Sequence, residues 1–268
     1  MSEARQEPLR LGGMALRNGL MLHGPTHWSA AVRLDDGTIK VASGRNRAVP
    51  SVGGTPILRG AVRLAATMAT LPKMRRVLPE ARLAFESPAM VVTALAGAAV
   101  ASGARRSRLS PTTTEALTQL LALLPAMATL RSGAVARYHG AEHKTIAGYE
   151  GEAPALDAAK EHERCGSHLV LPMLATSLVG NLLAGRLRSA RGAQATRLGT
   201  SVAAAGVAVE VFGWMTRNRT HRIAGLLRAP GTMLQRRIGT EEPTADELAV
   251  AAAALAELLG LESGGART

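Results

Sequence analysis

Hydrophobic and polar positions along this chain are segregated into long blocks. Four runs carry no charge, or almost none: 87–103, 116–130, 166–185 and 198–216, the last interrupted only by Glu210. At about 1.5 Å of rise per residue, runs of this length make helices of about 22–30 Å, against about 30 Å for a bilayer's hydrocarbon core. Arginines stand at their ends: Arg82, Arg105 and Arg106 around the first, Arg131 after the second, Arg164 and Arg186 around the third, Arg197 and Arg217 around the fourth. Long basic side chains at helix ends reach back to lipid headgroups. Gly97, Ala98, Gly180, Ala184, Gly206 and Ala208 would let such helices approach closely. The runs are short and rich in alanine, so the competing reading is four buried helices of a soluble α-protein.

The pattern changes outside these runs. Residues 9–50 read as a small β-rich unit: Leu11-Gly12-Gly13, a mixed run over 14–22, then 28–34 and 38–41 around the turn Asp35-Asp36-Gly37. A helix is predicted from Thr55, with Thr55 as N-cap and Pro56 in its first turn. Its apolar face, from Ile57 to Ala69, suits either an interfacial helix or ordinary core packing. Near the end, Thr244-x-x-Glu247 is a capping box before an Ala/Leu helix over 248–259, expected on the aqueous side, with a disordered tail over 263–268. The predicted fold class is therefore mainly α and integral to a membrane. About four transmembrane helices accompany an N-terminal β-rich unit and a C-terminal amphipathic helix. The blocks are 1–54, 55–86, 87–130, 131–165, 166–216 and 217–268.

Composition sharpens this picture. Of 268 residues, 19% are charged and 47% hydrophobic. An ordinary soluble domain has about 25% charged residues, and a disordered chain is rich in charge and poor in apolar residues. Lys and Arg number 32 against 20 Asp and Glu, a formal net charge of +12. Only 2% of residues are aromatic, which leaves little for base stacking, so membrane lipids rather than nucleic acid are the expected partners. The single Cys165 excludes a disulfide scaffold and a Cys-rich zinc ribbon. No apolar leader follows the polar start MSEARQEPLR, so no signal peptide is expected. Four spans put both termini and 131–165 on one side. The total of Lys and Arg favours the cytoplasm for that side, while the arginines of 104–115 and 186–197 vote against it.

The candidate chemistry lies before the third run. His139 and His143 stand four residues apart, so on a helix both imidazoles share one face and can grip one metal ion, with Glu142 close to that face. This is the H-x-x-E-H order of inverted zinc peptidases, where the glutamate handles a water proton. A catalytic zinc has three protein ligands and one open position. Glu210, a lone carboxylate in an apolar helix, is one candidate third ligand and would leave the site open. His162-x-x-Cys165 offers an imidazole and a thiolate that would instead close it as a structural site. His168 and His221 read as structural or interfacial, and His23 and His27 as loop residues.

These residues resemble the YqhQ-like family of bacterial integral membrane proteins, a family of unknown function sometimes described as predicted metal-dependent enzymes. The likeness runs from about Leu11 to Leu261. It is most specific at Arg137-Tyr138-His139-Gly140-Ala141-Glu142-His143-Lys144-Thr145-Ile146 with Tyr149-Glu150, at His162-Glu163-Arg164-Cys165-Gly166-Ser167, and at Gly206-Val207-Ala208-Val209-Glu210-Val211. Pro230-Gly231, Leu234-Gln235, Thr240-Glu241-Glu242-Pro243, Gly12-Gly13, Asn18-Gly19, Gly24 and Pro56 with Leu58-Arg59-Gly60 extend it. Asn18 and Ala66 depart from it, standing where members tend to carry acidic residues. The resemblance implies a multi-pass protein of the bacterial inner membrane, read here with cytoplasmic termini. The leading expectation is a metal-dependent hydrolase holding zinc or another divalent ion at His139, His143 and either Glu210 or His162, with Glu142 as base. The alternatives are a membrane scaffold with a structural zinc on His139, His143, His162 and Cys165, and a small transporter using Glu210. Four short helices would form a transport pathway only in a homo-oligomer.

Overall fold

The computed structural model describes residues 8–46, 62, 65–131, 133–151, 153–186 and 193–265. The N-terminal unit is a four-stranded antiparallel meander, β1 (Gly12–Ala15), β2 (Gly19–His23), β3 (His27–Arg33) and β4 (Ile39–Arg45), in sequential order. The predicted turn joins β3 to β4. Gly37 takes φ +86°, and Asp36 Oδ1 accepts from the amide and hydroxyl of Thr38. The mixed run over 14–22 contains parts of two strands. Leu20 and Leu22 face one side of the sheet and Met21 the other, and both sides are buried. A strand covered on both faces shows no clean alternation. His23 closes β2 and His27 opens β3, so both stand on strand ends and not in a free loop.

Each face of the sheet has its own helical cover. One packs on α1 (Leu71–Val77), through Met21, Trp28, Ala30 and Val32 against Leu71, Met74 and Leu78. The other packs on α5 (Ala134–Tyr149) and α9 (Ala245–Gly265), through Leu20, Leu22 and Ala31 against Tyr138, Ile146, Val250, Ala254 and Leu258. Ser29 Oγ donates to the Ala254 carbonyl across this second layer. The capping box starts α9 as expected, with the Thr244 amide donating to Glu247 Oε2 at 2.8 Å. The helix is not a separate aqueous element, however, because it forms one wall of the core. It also continues to Gly265, beyond the expected break at 263. The helix expected from Thr55 falls mostly outside the described residues. So do 266–268 of the expected tail.

Between these parts lie the apolar helices: α2 (Pro88–Arg106), α3 (Pro111–Leu121), α4 (Leu124–Leu130), α6 (Val170–Arg186) and α7 (Ala193–Arg217). The 116–130 run is thus not one helix but two; Pro125 stands in the first turn of α4, where its missing N–H is tolerated. The third run opens as a short 3₁₀ turn, Gly166–Leu169, before α6. Among the described residues, two helices, Pro88–Arg106 and Gly166–Ala184, are long and apolar enough to cross a membrane. The count rises to three if α3–α4 and α5, bent by 85°, are one broken span. The expected four are therefore not reproduced. α5 packs on the sheet, and α7, though 25 residues long, lies outside that set.

Small residues set the helix contacts. A Cβ on Gly180 of α6 would come within 2.6 Å of Thr200 Cγ2 on α7. Thr176 Oγ1 donates to the Ala204 carbonyl between the same helices, and Asn181 Nδ2 donates to Glu115 Oε2 of α3. Beyond α7, α8 (Arg222–Leu234) contains Pro230 and runs into one π-helical turn, Gln235–Gly239. Proline removes an amide and crowds the preceding turn, which is a recognised origin of such irregularity.

Candidate metal centre

α5 supplies three polar side chains to a buried place, and its neighbours decide what they meet. One turn apart, His139 and His143 face the same way, with ring centroids 4.4 Å apart. Cys165 enters from the turn before α6. The ligand atoms of His139, His143 and Cys165 all lie within 4.8 Å of one another, a group able to hold a metal ion. Each histidine is held from behind by a backbone carbonyl: His139 Nδ1 donates to Gly239 O at 2.7 Å, and His143 Nδ1 donates to Lys160 O at 2.6 Å. A carbonyl only accepts, so each ring carries a proton on Nδ1, which leaves Nε2 as the atom that can ligate a metal ion. Metal-ligating histidines characteristically have this outer hydrogen bond. Cys165 Sγ lies 3.3 Å from His139 Nε2, and the His143 Nε2 atom is buried without a hydrogen-bond partner.

The electrostatics follow from burial. Burial pulls His143 below its ordinary value, against the opposing effect of Cys165. Burial alone would push the Cys165 thiol up, but the interaction with His143 and the Ser167 hydrogen bonds outweigh it, and the thiol ends below its usual value. Glu142 is pushed up to about 7, chiefly because its carboxyl is removed from water. Its Oε2 has no hydrogen-bond partner. Gly13 of β1 makes room for it: a Cβ there would come within 2.5 Å of Glu142 Cδ.

Of the residues singled out from the sequence, His139, His143 and Cys165 come together, with Glu142 beside them. His162 stands behind His143, ring centroids 5.6 Å apart, and is not a member of the ligand cluster. Its Nδ1 accepts the Arg164 amide, and its Nε2 lies 3.9 Å from Glu150 Oε2. Burial, reinforced by the charges of Arg164 and Arg219, lowers His162 to about 4. Glu210 is half-buried in α7 and also outside the cluster; the third side chain gathered with the two histidines is Cys165. His168 is buried, its Nδ1 on the Arg228 carbonyl. Asn18 serves the fold, donating to the carbonyls of Arg33 and Glu80 and accepting from the Arg82 amide.

Three residues of the site carry no sequence signal of chemistry. Gln235 is buried in the π turn; its side chain accepts from the His162 amide and donates to Ser167 Oγ, tying together the segment that carries Cys165. Gly239 and Lys160 act through backbone carbonyls, which no residue type announces. Pro230, inside the helix before Gln235, is a signal that could have marked the irregular turn.

A cleft of ≈ 360 Å³ opens onto this group. His139, Glu142, Cys165 and Ser167 form its polar end, and Met90, Ala126, Leu130 and Phe85 contribute to its walls. Residues 88–261, more than half of the chain, match a family described as "Protein of unknown function (DUF1385)". The match begins at α2 and leaves the sheet outside it. No curated protein and no solved structure matches the chain.

Proposed function

This chain belongs to the DUF1385 family, whose function is unknown, and from its site we propose a membrane-bound, metal-dependent hydrolase of the YqhQ-like kind. The observation that carries the reading is the pair of histidines, each with Nδ1 fixed on a carbonyl, converging with Cys165 on one point. The donor set of two imidazoles and one thiolate suits zinc. Three protein ligands leave a tetrahedral ion one open position, as catalytic sites require. The directions of the His162 nitrogens favour this open arrangement over a closed four-ligand site.

When bound, such an ion polarises a substrate oxygen and makes a neighbouring water more acidic. The protein's own part is separate. Glu142 faces the cleft with an unpartnered oxygen and accepts a proton from water, then returns it to the leaving group. The carbonyls of Gly239 and Lys160 hold the imidazoles in one orientation. The membrane reading draws on the outward faces of α2 and α6, where Val92, Leu95, Val179 and Leu183 are exposed and only 17% of each apolar window is buried. With its arginine-flanked helices, the protein fits the bacterial inner membrane.

Metal analysis of detergent-purified protein tests the site. Wild type should carry about one divalent ion per chain, His143→Ala and Cys165→Ser should carry almost none, and Glu142→Gln should keep it. A metal-free wild type, or a full load in Cys165→Ser, overturns the assignment. Loss of the ion in Glu142→Gln would make that residue a ligand and not a proton carrier.

A further inference from the structure

Resting on the hydrolase reading, we infer that the substrate is a neutral ester of a long-chain carboxylic acid, whose hydrocarbon chain lies in the cleft beside the metal centre. The cleft is polar at one end only. Among the described residues its walls carry no Lys or Arg, so no cationic side chain along them would pair with a phosphate or a free carboxylate. Among the described residues two hydroxyls reach the lining: Thr129 Oγ1 donates to the Pro125 carbonyl, and Ser167 Oγ, at the polar end beside Cys165, accepts from Gln235 and keeps its own proton to donate. Away from the polar end, a peptide threaded here would find few side-chain partners for its amides, at substantial cost. A hydrocarbon chain loses nothing. The volume of ≈ 360 Å³ falls within the range of small-molecule clefts, about 300–1,000 Å³.

The placement points the same way. Met90 sits in the first turn of α2, a helix whose outer side exposes Val91, Val92 and Leu95. Ala126 and Leu130 belong to α4, which packs against α2. The cleft thus lies among elements whose exposed surface is apolar, and its wall residues Phe85 and Ala126 are themselves exposed, so a chain dissolved in lipid can enter past them without crossing water. At the polar end, Glu142 Oε2 is buried and unpartnered, facing the place where the ester carbonyl would arrive. Hydrolysis there balances without a further reactant. The oxygen of water bonds to the carbonyl carbon, the bond from that carbon to the alkoxy oxygen breaks, and the water proton passes through Glu142 to the departing alcohol. The products are the free acid and the alcohol.

The experiment uses the full chain, metal-loaded, in phosphatidylcholine vesicles, with methyl palmitate carrying a diazirine on its acyl chain. Light should attach the probe to Met90, Ala126 or Leu130. Unlabelled methyl palmitate should compete and methyl acetate should not. Ala126→Trp and, separately, Met90→Trp should remove that labelling while the metal load reports that each variant is folded; Val179→Trp on the outer face of α6 should leave it intact. Labelling confined to outer faces, or unaffected by either cleft variant, overturns the inference. In the same vesicles, acid release from methyl palmitate should exceed that from methyl acetate by about tenfold or more. Cleft labelling without acid release supports the acyl site and overturns the hydrolase reading. Equal release from both esters with an unlabelled cleft does the reverse.

Discussion

α5 and α2 are built against expectation. α5 carries His139, Glu142, His143 and Lys144, yet nearly every residue from Val135 to Ala147 is buried. α2 has no charge before its last turn, yet only Gly97, Ala101 and Ala104 are buried. In water, apolar surface is worth burying at about 25 cal/mol per Å², and charged groups stay outside. The inversion makes sense if the two helices meet different surroundings. α5 has partners for most of its polar groups: Arg137 on Glu247 at 2.9 Å, Lys144 on Glu242 and the Leu156 carbonyl, His143 Nδ1 on Lys160; the atoms left over, Glu142 Oε2 and His143 Nε2, lie at the candidate site. The outer side of α2 has no such partners and needs none in lipid. Polarity along a helix therefore does not by itself say which side is solvent.

The comparison can be broken at several points. The largest effect is expected where the sheet meets α9. Leu258→Ala, at a fully buried side chain, should cost about 2–5 kcal/mol and lower Tm by several degrees in any detergent. A smaller loss would mean that α9 is a loose cover. Next, Leu95→Arg on the outer side of α2 should cost about 2.5–3.5 kcal/mol of membrane insertion and shift protein out of the carbonate-resistant membrane fraction. In water the same exposed position would tolerate arginine to within about 0.5 kcal/mol, so an unchanged fraction sinks the membrane reading.

Smaller changes sharpen the contrast. A Cβ on Gly140 would come within 2.2 Å of the Glu241 carbonyl, whereas one on Gly103 meets nothing within 4 Å. Gly140→Ala should therefore destabilise by about 1–3 kcal/mol and Gly103→Ala should be neutral or gain up to about 1 kcal/mol, both read as Tm. The smallest effect is at Glu262, which accepts from the Thr26 and His27 amides and binds the end of α9 to the β2–β3 turn. Its partial burial raises its pKa, but the hydrogen bonds from Thr26 and His27 outweigh this and hold it below the ordinary 4.5. Its contribution is thus full above 4.5 and fades as pH falls through the lower folded value. Glu262→Gln should lose at most about 1 kcal/mol at pH 7, and the gap to wild type should close in acid. A gap that is constant with pH would remove the charge from the explanation.

Much of the molecule was legible in its residues because the signals are local. Asp36-Gly37 marks a turn, Thr244 and Glu247 mark a helix start, and His139 with His143 mark one helical face; each depends on neighbours within a few positions. The split of the second apolar run was present in Pro125 but is ambiguous, since proline is also tolerated where helices pack. The partner of the two histidines stayed open in the sequence because Glu210, His162 and Cys165 are all plausible by type; the structure gathers Cys165 with them in a group that could hold a metal ion. Only the turn at Gly166–Leu169, held by Gln235 from a segment 70 residues on, brings the thiol and not the carboxylate to the histidines.

The sequence by itself determined the positions of the apolar blocks, the helix carrying H-x-x-E-H and the Thr244 start of α9. Those depend on side-chain periodicity and short-range hydrogen bonding. Tertiary structure alone decided that α5 is buried, that α9 walls the core, and that backbone carbonyls of Gly239 and Lys160 orient the imidazoles. Such contacts join residues as far as 225 positions apart, and a carbonyl is the same in every residue.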